Sequence, residues 1–161
     1  MKILIVDDQP TVRKALSLIL RRLGFTDLVE AEDGYEALSH LRKIKFNLII
    51  SDVHMPAPLP GVPAKSGIDL LEAVRLDSDL KGIPFLIVST DSEMKTVVKA
   101  MQSGVNGYII KPFTEKAVKE KLEMLKFKIS EPKDLPEPAP KPEPVAPADK
   151  SADDDFLRTT F

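Results

Sequence analysis

The chain has 161 residues, with 23 basic and 25 acidic side chains, 14 prolines and no cysteine. The lack of cysteine excludes disulfide frameworks, thiolate metal sites and cysteine catalysis, and a formal net charge of -2 gives no basic field for nucleic acid. Neither a membrane-length apolar run nor a signal peptide is visible, so we expect a cytoplasmic protein with neither a membrane nor a nucleic acid partner.

Within the first 128 residues, short apolar runs alternate with helical patterns. The apolar runs predict five strands, at residues 3–6, 28–31, 46–51, 85–89 and 108–110. Apolar residues at helical spacing follow each run and predict five helices, at residues 10–23, 34–42, 67–76, 92–103 and 115–126. In the first helix, six apolar side chains are expected to face the core: Val12, Ala15, Leu16, Ile19, Leu20 and Leu23.

This alternation predicts an α/β fold, in which right-handed crossovers join parallel strands and helices cover both faces of a doubly wound sheet. Ligands of such sheets bind beyond the carboxyl ends of the strands. The residues that end or follow four of the strands are therefore the candidate site residues: Asp7, Asp8, Asp52, Ser89, Thr90, Lys111 and Pro112.

The chemistry of these residues points to phosphoryl transfer. Three clustered carboxylates repel one another unless a cation offsets them, and oxygen ligands favour Mg²⁺ or Mn²⁺ over zinc. A metal-bound carboxylate beside a hydroxyl and a lysine is suited to phosphoryl transfer onto an aspartate. Each residue alone also fits an ordinary strand end, loop cap or solvated side chain, so the joint pattern carries the prediction.

The order of these motifs resembles the receiver domain of bacterial two-component response regulators. The resemblance rests on Asp7-Asp8, on Asp52 followed by Met55-Pro56, on Ser89-Thr90 and on the run from Gly107 to Phe113. Residues 24–34 and 107–114 resemble chemotaxis receivers most. The resemblance covers residues 1–128 and implies a flavodoxin-like, five-stranded fold with strand order 2-1-3-4-5.

The resemblance also implies roles for single residues. Asp52 matches the phosphoacceptor, which takes a phosphoryl group from a histidine kinase. Asp7, Asp8, Asp52 and the backbone carbonyl of His54 match the ligands of Mg²⁺ (or Mn²⁺). Such a protein is a signalling switch rather than an enzyme, since it catalyses only its own phosphorylation and dephosphorylation.

Other residues match the switching machinery of the family. Lys111 matches the lysine that pairs with Asp52 before phosphorylation and with the phosphoryl group afterwards, and the Lys111–Pro112 bond matches a cis peptide. Ser89 and Tyr108 match the side chains that move inward and remodel the face formed by the fourth helix, fifth strand and fifth helix. That face is expected to bind a protein target, such as the flagellar motor or another signalling protein.

Two features near Asp52 are particular to this chain. The segment from Pro56 to Ser66 is longer than is usual in the family and contains four prolines. It is either a tolerated surface insertion or a partial lid that tunes kinase access. The side chains of His54 and Asp91, which lie two residues beyond Asp52 and Ser89, are expected to tune the phosphoryl lifetime.

The C-terminal part of the chain differs from the rest in composition. Seven of the prolines lie between Pro132 and Pro147, so residues 129–150 are expected to form a disordered, extended linker. Residues 151–161 combine Asp153, Asp154 and Asp155 with apolar side chains and resemble a short capped helix. This tail either docks on the domain's own output face, binds a partner, or is a frayed end.

Nothing after residue 130 has the length or composition of a DNA-binding or enzymatic output domain, so output is expected through protein contact, in chemotaxis or motility signalling. A phosphorelay intermediate or phosphate sink is the alternative, marked by transfer of the phosphoryl group from Asp52 to another histidine. A hydrolase of the haloacid dehalogenase type expects Asp-x-Asp, whereas this chain has Asp52-Val53-His54.

Overall fold

Strands and helices alternate strictly in a computed structural model, which describes residues 1–128. The ten elements, in chain order, are β1 (Lys2–Val6), α1 (Pro10–Arg22), β2 (Asp27–Ala31), α2 (Gly34–Lys43), β3 (Leu48–Ser51), α3 (Gly67–Leu76), β4 (Phe85–Ser89), α4 (Met94–Gln102), β5 (Gly107–Ile110) and α5 (Glu115–Met124). None of the described helices has the length and apolar character needed to span a membrane.

The five strands form one parallel sheet in the order β2-β1-β3-β4-β5, which confirms the flavodoxin-like α/β fold. Their register aligns the carboxyl ends. Val6 pairs with Ser51 and Ser89 pairs with Ile110, so the next residues, Asp7, Asp52 and Lys111, emerge at one edge. The positions of the site residues therefore follow from strand pairing.

Helices cover both faces of the sheet. On one face, Leu16 and Leu20 of α1 and Leu122 of α5 pack in a cluster with the strand residues Ile3 and Ile5. Helices α2, α3 and α4 contribute to the cluster on the other face, which includes Leu4 and Ile49. Since successive strand residues point to opposite faces, strands buried on both sides carry near-continuous apolar runs.

The inward face of α1 differs from the predicted one. Ala15 is exposed, whereas Arg13 and Ser17 are buried. The reason is electrostatic: Arg13 hydrogen-bonds to the carbonyl oxygen of Asp7 at 2.7 Å, and Ser17 donates to Glu30 at 3.0 Å. An apolar pattern cannot show that acidic partners on β2 are in place to satisfy a buried arginine.

Element ends also differ from the predictions by a few residues. Helix α4 begins at Met94 rather than at residue 92, because the Asp91 carboxylate accepts the backbone N–H of Glu93 and holds a turn there. Helix α5 ends at Met124 rather than at 126, and Lys126 has a φ of 62°. The expected linker at 129–150 and the acidic–apolar segment at 151–161 lie outside the described residues.

Candidate functional site

Three carboxylates meet at the carboxyl edge of the sheet. One oxygen from each of Asp7, Asp8 and Asp52 lies within 4.8 Å of the other two. Asp7 is 1% exposed and Asp52 6%, whereas Asp8 is partly exposed. An all-oxygen donor set that is open on one side fits Mg²⁺ or Mn²⁺. The carbonyl oxygen of His54 as a further ligand stays a prediction.

Lys111 places its ammonium group between two of these carboxylates. Its Nζ lies 2.7 Å from Asp7 Oδ2 and 3.0 Å from Asp52 Oδ2, and the following peptide bond, Lys111–Pro112, is cis. Burial alone would lower the pKa of Lys111, but the hydrogen bonds to Asp7 and Asp52 outweigh burial and raise it. The amine therefore stays charged at neutral pH.

Burial acts in the opposite sense on Asp7. Desolvation raises the pKa of Asp7 above its ordinary value, although hydrogen bonds from Lys111 and from the backbone N–H of Gln9 work against it. A carboxylate kept in a poorly solvated place gains from a nearby cation. The pocket thus favours the binding of positive charge beside Asp52.

The backbone around Asp52 is fixed from two sides. The Asp52 N–H donates to the carbonyl oxygen of Val6 at 2.9 Å, and the Asp52 side chain accepts from the Val53 N–H at 2.7 Å. A Cβ atom on Gly67 would lie 1.8 Å from the Asp52 carbonyl oxygen. Any side chain at Gly67 would therefore displace Asp52, so the first residue of α3 must be glycine.

Arg13 is a site-supporting residue that the sequence interpretation missed. Besides its bond to the Asp7 carbonyl oxygen, its guanidinium contacts Glu30 at 3.0 Å and Glu32 at 3.2 Å. It thereby ties α1 to the end of β2 directly behind Asp7. The available signal was a basic residue directly after Val12 on the apolar side of a predicted helix.

Ser89 and Tyr108 lie next to the carboxylates. Ser89 is fully buried, and its Oγ accepts the Asp91 N–H at 3.2 Å. Tyr108 is partly buried, and its hydroxyl donates to the Asp91 carbonyl oxygen at 2.7 Å; burial raises the pKa of Tyr108. The inward movement of Ser89 and Tyr108 on phosphorylation stays a prediction.

The side chains of His54 and Asp91 meet above the site. His54 Nε2 lies 2.8 Å from Asp91 Oδ2, and Thr96 Oγ1 donates to the same oxygen at 2.8 Å. Hydrogen bonds from the Glu93 N–H, His54 and Thr96 lower the pKa of Asp91. The contact links the loop after Asp52 to the start of α4; Thr96 was not among the predicted site residues.

The long segment after Asp52 is anchored against α2. The Tyr35 hydroxyl donates to the Pro63 carbonyl oxygen at 3.1 Å, and Lys65 Nζ lies 5.2 Å from the centre of the Tyr35 ring, a cation–π distance. Ser66 then caps α3 through a reciprocal capping box with Asp69. The segment therefore lies on the α2 side of the site, and neither Tyr35 nor Lys65 was predicted to matter.

Comparison with known proteins agrees with this geometry. The family model described as the response regulator receiver domain matches residues 3–123. The chain is 45% identical over 125 residues to the chemotaxis protein CheY of Pseudomonas aeruginosa, a match covering 78% of this chain and 95% of the relative. The solved structure of the Vibrio cholerae chemotaxis protein CheY4 has a TM-score of 0.67 and 32% identity, over 76% of this chain and 95% of that one.

Proposed function

This chain belongs to the response regulator receiver domain family, and on that premise we propose that Asp52 accepts a phosphoryl group from a histidine kinase, with Mg²⁺ (or Mn²⁺) as cofactor. The observation that carries the proposal is the convergence of three carboxylates with the Lys111 amine, whose Nζ lies 3.0 Å from Asp52 Oδ2. Members of this family are signalling proteins rather than classical enzymes.

The chemistry is an in-line displacement at phosphorus. A carboxylate oxygen of Asp52 attacks the phosphoryl group, the phosphorus–nitrogen bond to the donor imidazole breaks, and an acyl phosphate forms on Asp52. When bound, the metal supplies positive charge to the transferring oxygens. Lys111 supplies a second fixed charge, and Ser89 offers a hydroxyl for a phosphoryl oxygen. Hydrolysis by water later returns Asp52 and inorganic phosphate.

Phosphorylation at Asp52 is tested by incubating the protein with Mg²⁺ and a small acyl phosphate and measuring its intact mass. The wild type is expected to gain one phosphoryl group and Asp52→Asn none. Asp27→Asn is the matched control, since Asp27 pairs with Lys2 at the opposite end of the strands and should gain the group normally. Phosphorylation of Asp52→Asn, or of neither protein, would overturn the assignment.

We propose that the His54–Asp91 contact sets the lifetime of the phosphoryl group. The contact joins His54, two residues beyond Asp52, to the loop before α4, and on this proposal it restricts the access of water to the phosphoryl group. His54→Ala removes one half of the contact and is expected to shorten the lifetime in a hydrolysis time course. His40→Ala, on α2, is the matched control and should leave the lifetime unchanged. An unchanged lifetime in His54→Ala would contradict the proposed role of the His54–Asp91 contact.

Output is proposed through the face formed by α4, β5 and α5. Met94, Val98 and Met101 lie on one side of α4, and all are exposed, as is Ile110 on β5. Exposed apolar groups in one patch mark a surface for protein contact. Since relatives of this chain are named chemotaxis proteins, we propose a chemotaxis target, of which the flagellar motor is one.

Binding of the phosphorylated protein to isolated flagellar motors tests this output. Met101→Lys is expected to lose binding, whereas Leu76→Lys, an exposed apolar position on α3, should retain it. Equal binding by both variants would exclude the α4 face. Transfer of the phosphoryl group from Asp52 to a histidine of another protein would instead identify a phosphorelay intermediate.

A further inference from the structure

A groove of about 900 Å³ runs between α1 and the segment that follows β5. Val12, Ala15, Leu18 and Ile19 form the α1 wall, and Phe113 lies on the other side. Leu18 is 43% exposed, although it belongs to the apolar lining. One end of the groove reaches Lys111, so an occupant would lie beside the approach to Asp52.

The groove has one exposed cation on its α1 wall, because the Lys111 end is neutralised by Asp7 and Asp52. Lys14 and Arg22 are among the lining residues, and Arg22 contacts Glu115 at 3.2 Å, which leaves Lys14 as the exposed cation. Residues 131–161 contain four basic and eight acidic side chains. Within them, three successive aspartates precede Phe156 and Leu157, an order of acidic then apolar groups that complements Lys14 beside an apolar floor.

The chain leaves the described region on the side of the sheet where this groove lies. Leu125 and Phe127 pack against the same apolar cluster as α1 and α5, and the Phe127 N–H donates to the Leu122 carbonyl oxygen at 3.0 Å. The exposed apolar side of α4 belongs to the helices on the other face of the sheet, where Ala100 is buried. The place where the chain leaves the domain therefore favours contact with the α1 groove over contact with the exposed side of α4.

The length of the remaining chain is sufficient to reach the groove. Helix α5 has 10 residues and is thus about 15 Å long. A Pro-rich chain of the length of residues 129–150 extends by about 3.1 Å per residue and therefore spans up to about 70 Å. The segment at 151–161 can thus return along α5 to Phe113, and its covalent link raises its effective concentration there.

We propose that residues 151–161 dock in the α1 groove of the same molecule, with Phe156 and Leu157 on its apolar floor and Asp153–Asp155 toward Lys14. The docking does not rest on the proposed function.

The absence of cysteine from the sequence allows a clean test in the full chain. A spin label on Ala152→Cys is expected to remove most of the amide NMR signal of Leu18 and Phe113 and to leave Met94 and Met101 unchanged. Adding Leu18→Glu should restore the lost signals at Phe113 and at the residues next to position 18. Val98→Glu is the matched control, since Val98 is 42% exposed on α4, and should not restore them.

Each other outcome overturns the proposal. Unchanged signals at Leu18 and Phe113 would show that the segment does not occupy the groove, and signal loss at Met94 and Met101 would place it on α4. Signal loss at Leu18 in an isotope-labelled chain mixed with a spin-labelled, unenriched chain would identify docking between two copies. No phosphodonor is present, so failure of Asp52 phosphorylation would not affect the result.

Discussion

Two groups of polar side chains meet at the carboxyl edge of the sheet, and they differ in burial. The inner group comprises Asp7, Asp52, Lys111 and Arg13, which are largely withdrawn from water. The rim comprises the His54–Asp91 contact on one side and the Tyr35–Lys65 contact on the other. His54 has 66% of its side chain exposed, although its partner Asp91 has only 11%, whereas the side chain of Lys111 has 9%.

This difference in burial predicts that the inner group determines the stability of the fold, whereas the rim determines access to Asp52. Removing one partner from a buried charge cluster leaves a charge that neither water nor protein offsets, which costs several kcal/mol. An exposed pair exchanges its partner for water, so its loss changes the folding free energy little. We expect inner-group variants to change stability and rim variants to change the rates of reactions at Asp52.

The largest effect is expected for Lys111→Met. The substitution leaves Asp7 and Asp52 buried together without their shared cation, which should lower the free energy of unfolding by about 3 kcal/mol. Chemical denaturation measures the loss, and Mg²⁺ should restore more stability to the variant than to the wild type. Lys14→Met removes an exposed lysine as the control. Equal losses of unfolding free energy in the two variants would contradict the distinction between the inner group and the surface.

Arg13→Met is expected to have the next largest effect. The buried Asp7 carbonyl oxygen loses its donor, whereas Glu30 and Glu32 remain partly solvated, so we expect a loss of about 2 kcal/mol. Arg21→Met, on the exposed side of the same helix, controls for the change in charge and should alter stability little. If thermal or chemical unfolding showed no difference between the two variants, Arg13 would belong with the rim.

On the rim, Tyr35→Phe removes a single hydrogen bond to the long segment. We expect a change of about 1 kcal/mol or less in unfolding free energy, together with faster tryptic cleavage after Lys65. The cleavage rate under native conditions reports opening of the segment rather than unfolding of the domain. Equal cleavage rates in the variant and the wild type would show that Tyr35 does not anchor the segment.

The smallest effect on stability is expected for His54→Ala, because His54 is 66% exposed and Asp91 keeps its hydrogen bonds from Thr96 and the Glu93 N–H. Its denaturation midpoint should match that of the wild type within error, even while the phosphoryl lifetime changes. A drop in stability comparable to that of Arg13→Met would place His54 in the inner group and contradict the comparison.

The sequence predicted the sheet and its edge because both depend on patterns that a single chain displays. Apolar runs at 3–6 and 85–89 indicated strands buried on both faces, and the residues after them, Asp7 among them, had to meet at one edge once the strands were parallel. The family resemblance then supplied the strand order, which the structure confirms.

The contacts missed by the sequence interpretation depend on side chains that are distant in the chain. Arg13 is buried only because Glu30 and Glu32 lie beside it after β1 and β2 pair, and Ala15 is exposed for the same reason. Tyr35 and Lys65 meet because the segment after Asp52 folds toward α2, a direction that its composition does not encode. The spacing of apolar residues within one helix indicates which of its faces is buried. Which side chains that face contacts depends on how the helix packs against other elements.

The hydrogen bond from the Gly67 N–H to the Val53 carbonyl oxygen, 2.8 Å long, has a consequence for how this chain tolerates changes in its length. It closes the segment between Val53 and Gly67 at its base, so residues added or removed within that segment need not move Asp52. Doubling a loop of this kind costs only about 0.6 kcal/mol in closure entropy. The segment between Val53 and Gly67 is therefore a suitable place to insert a foreign peptide beside Asp52.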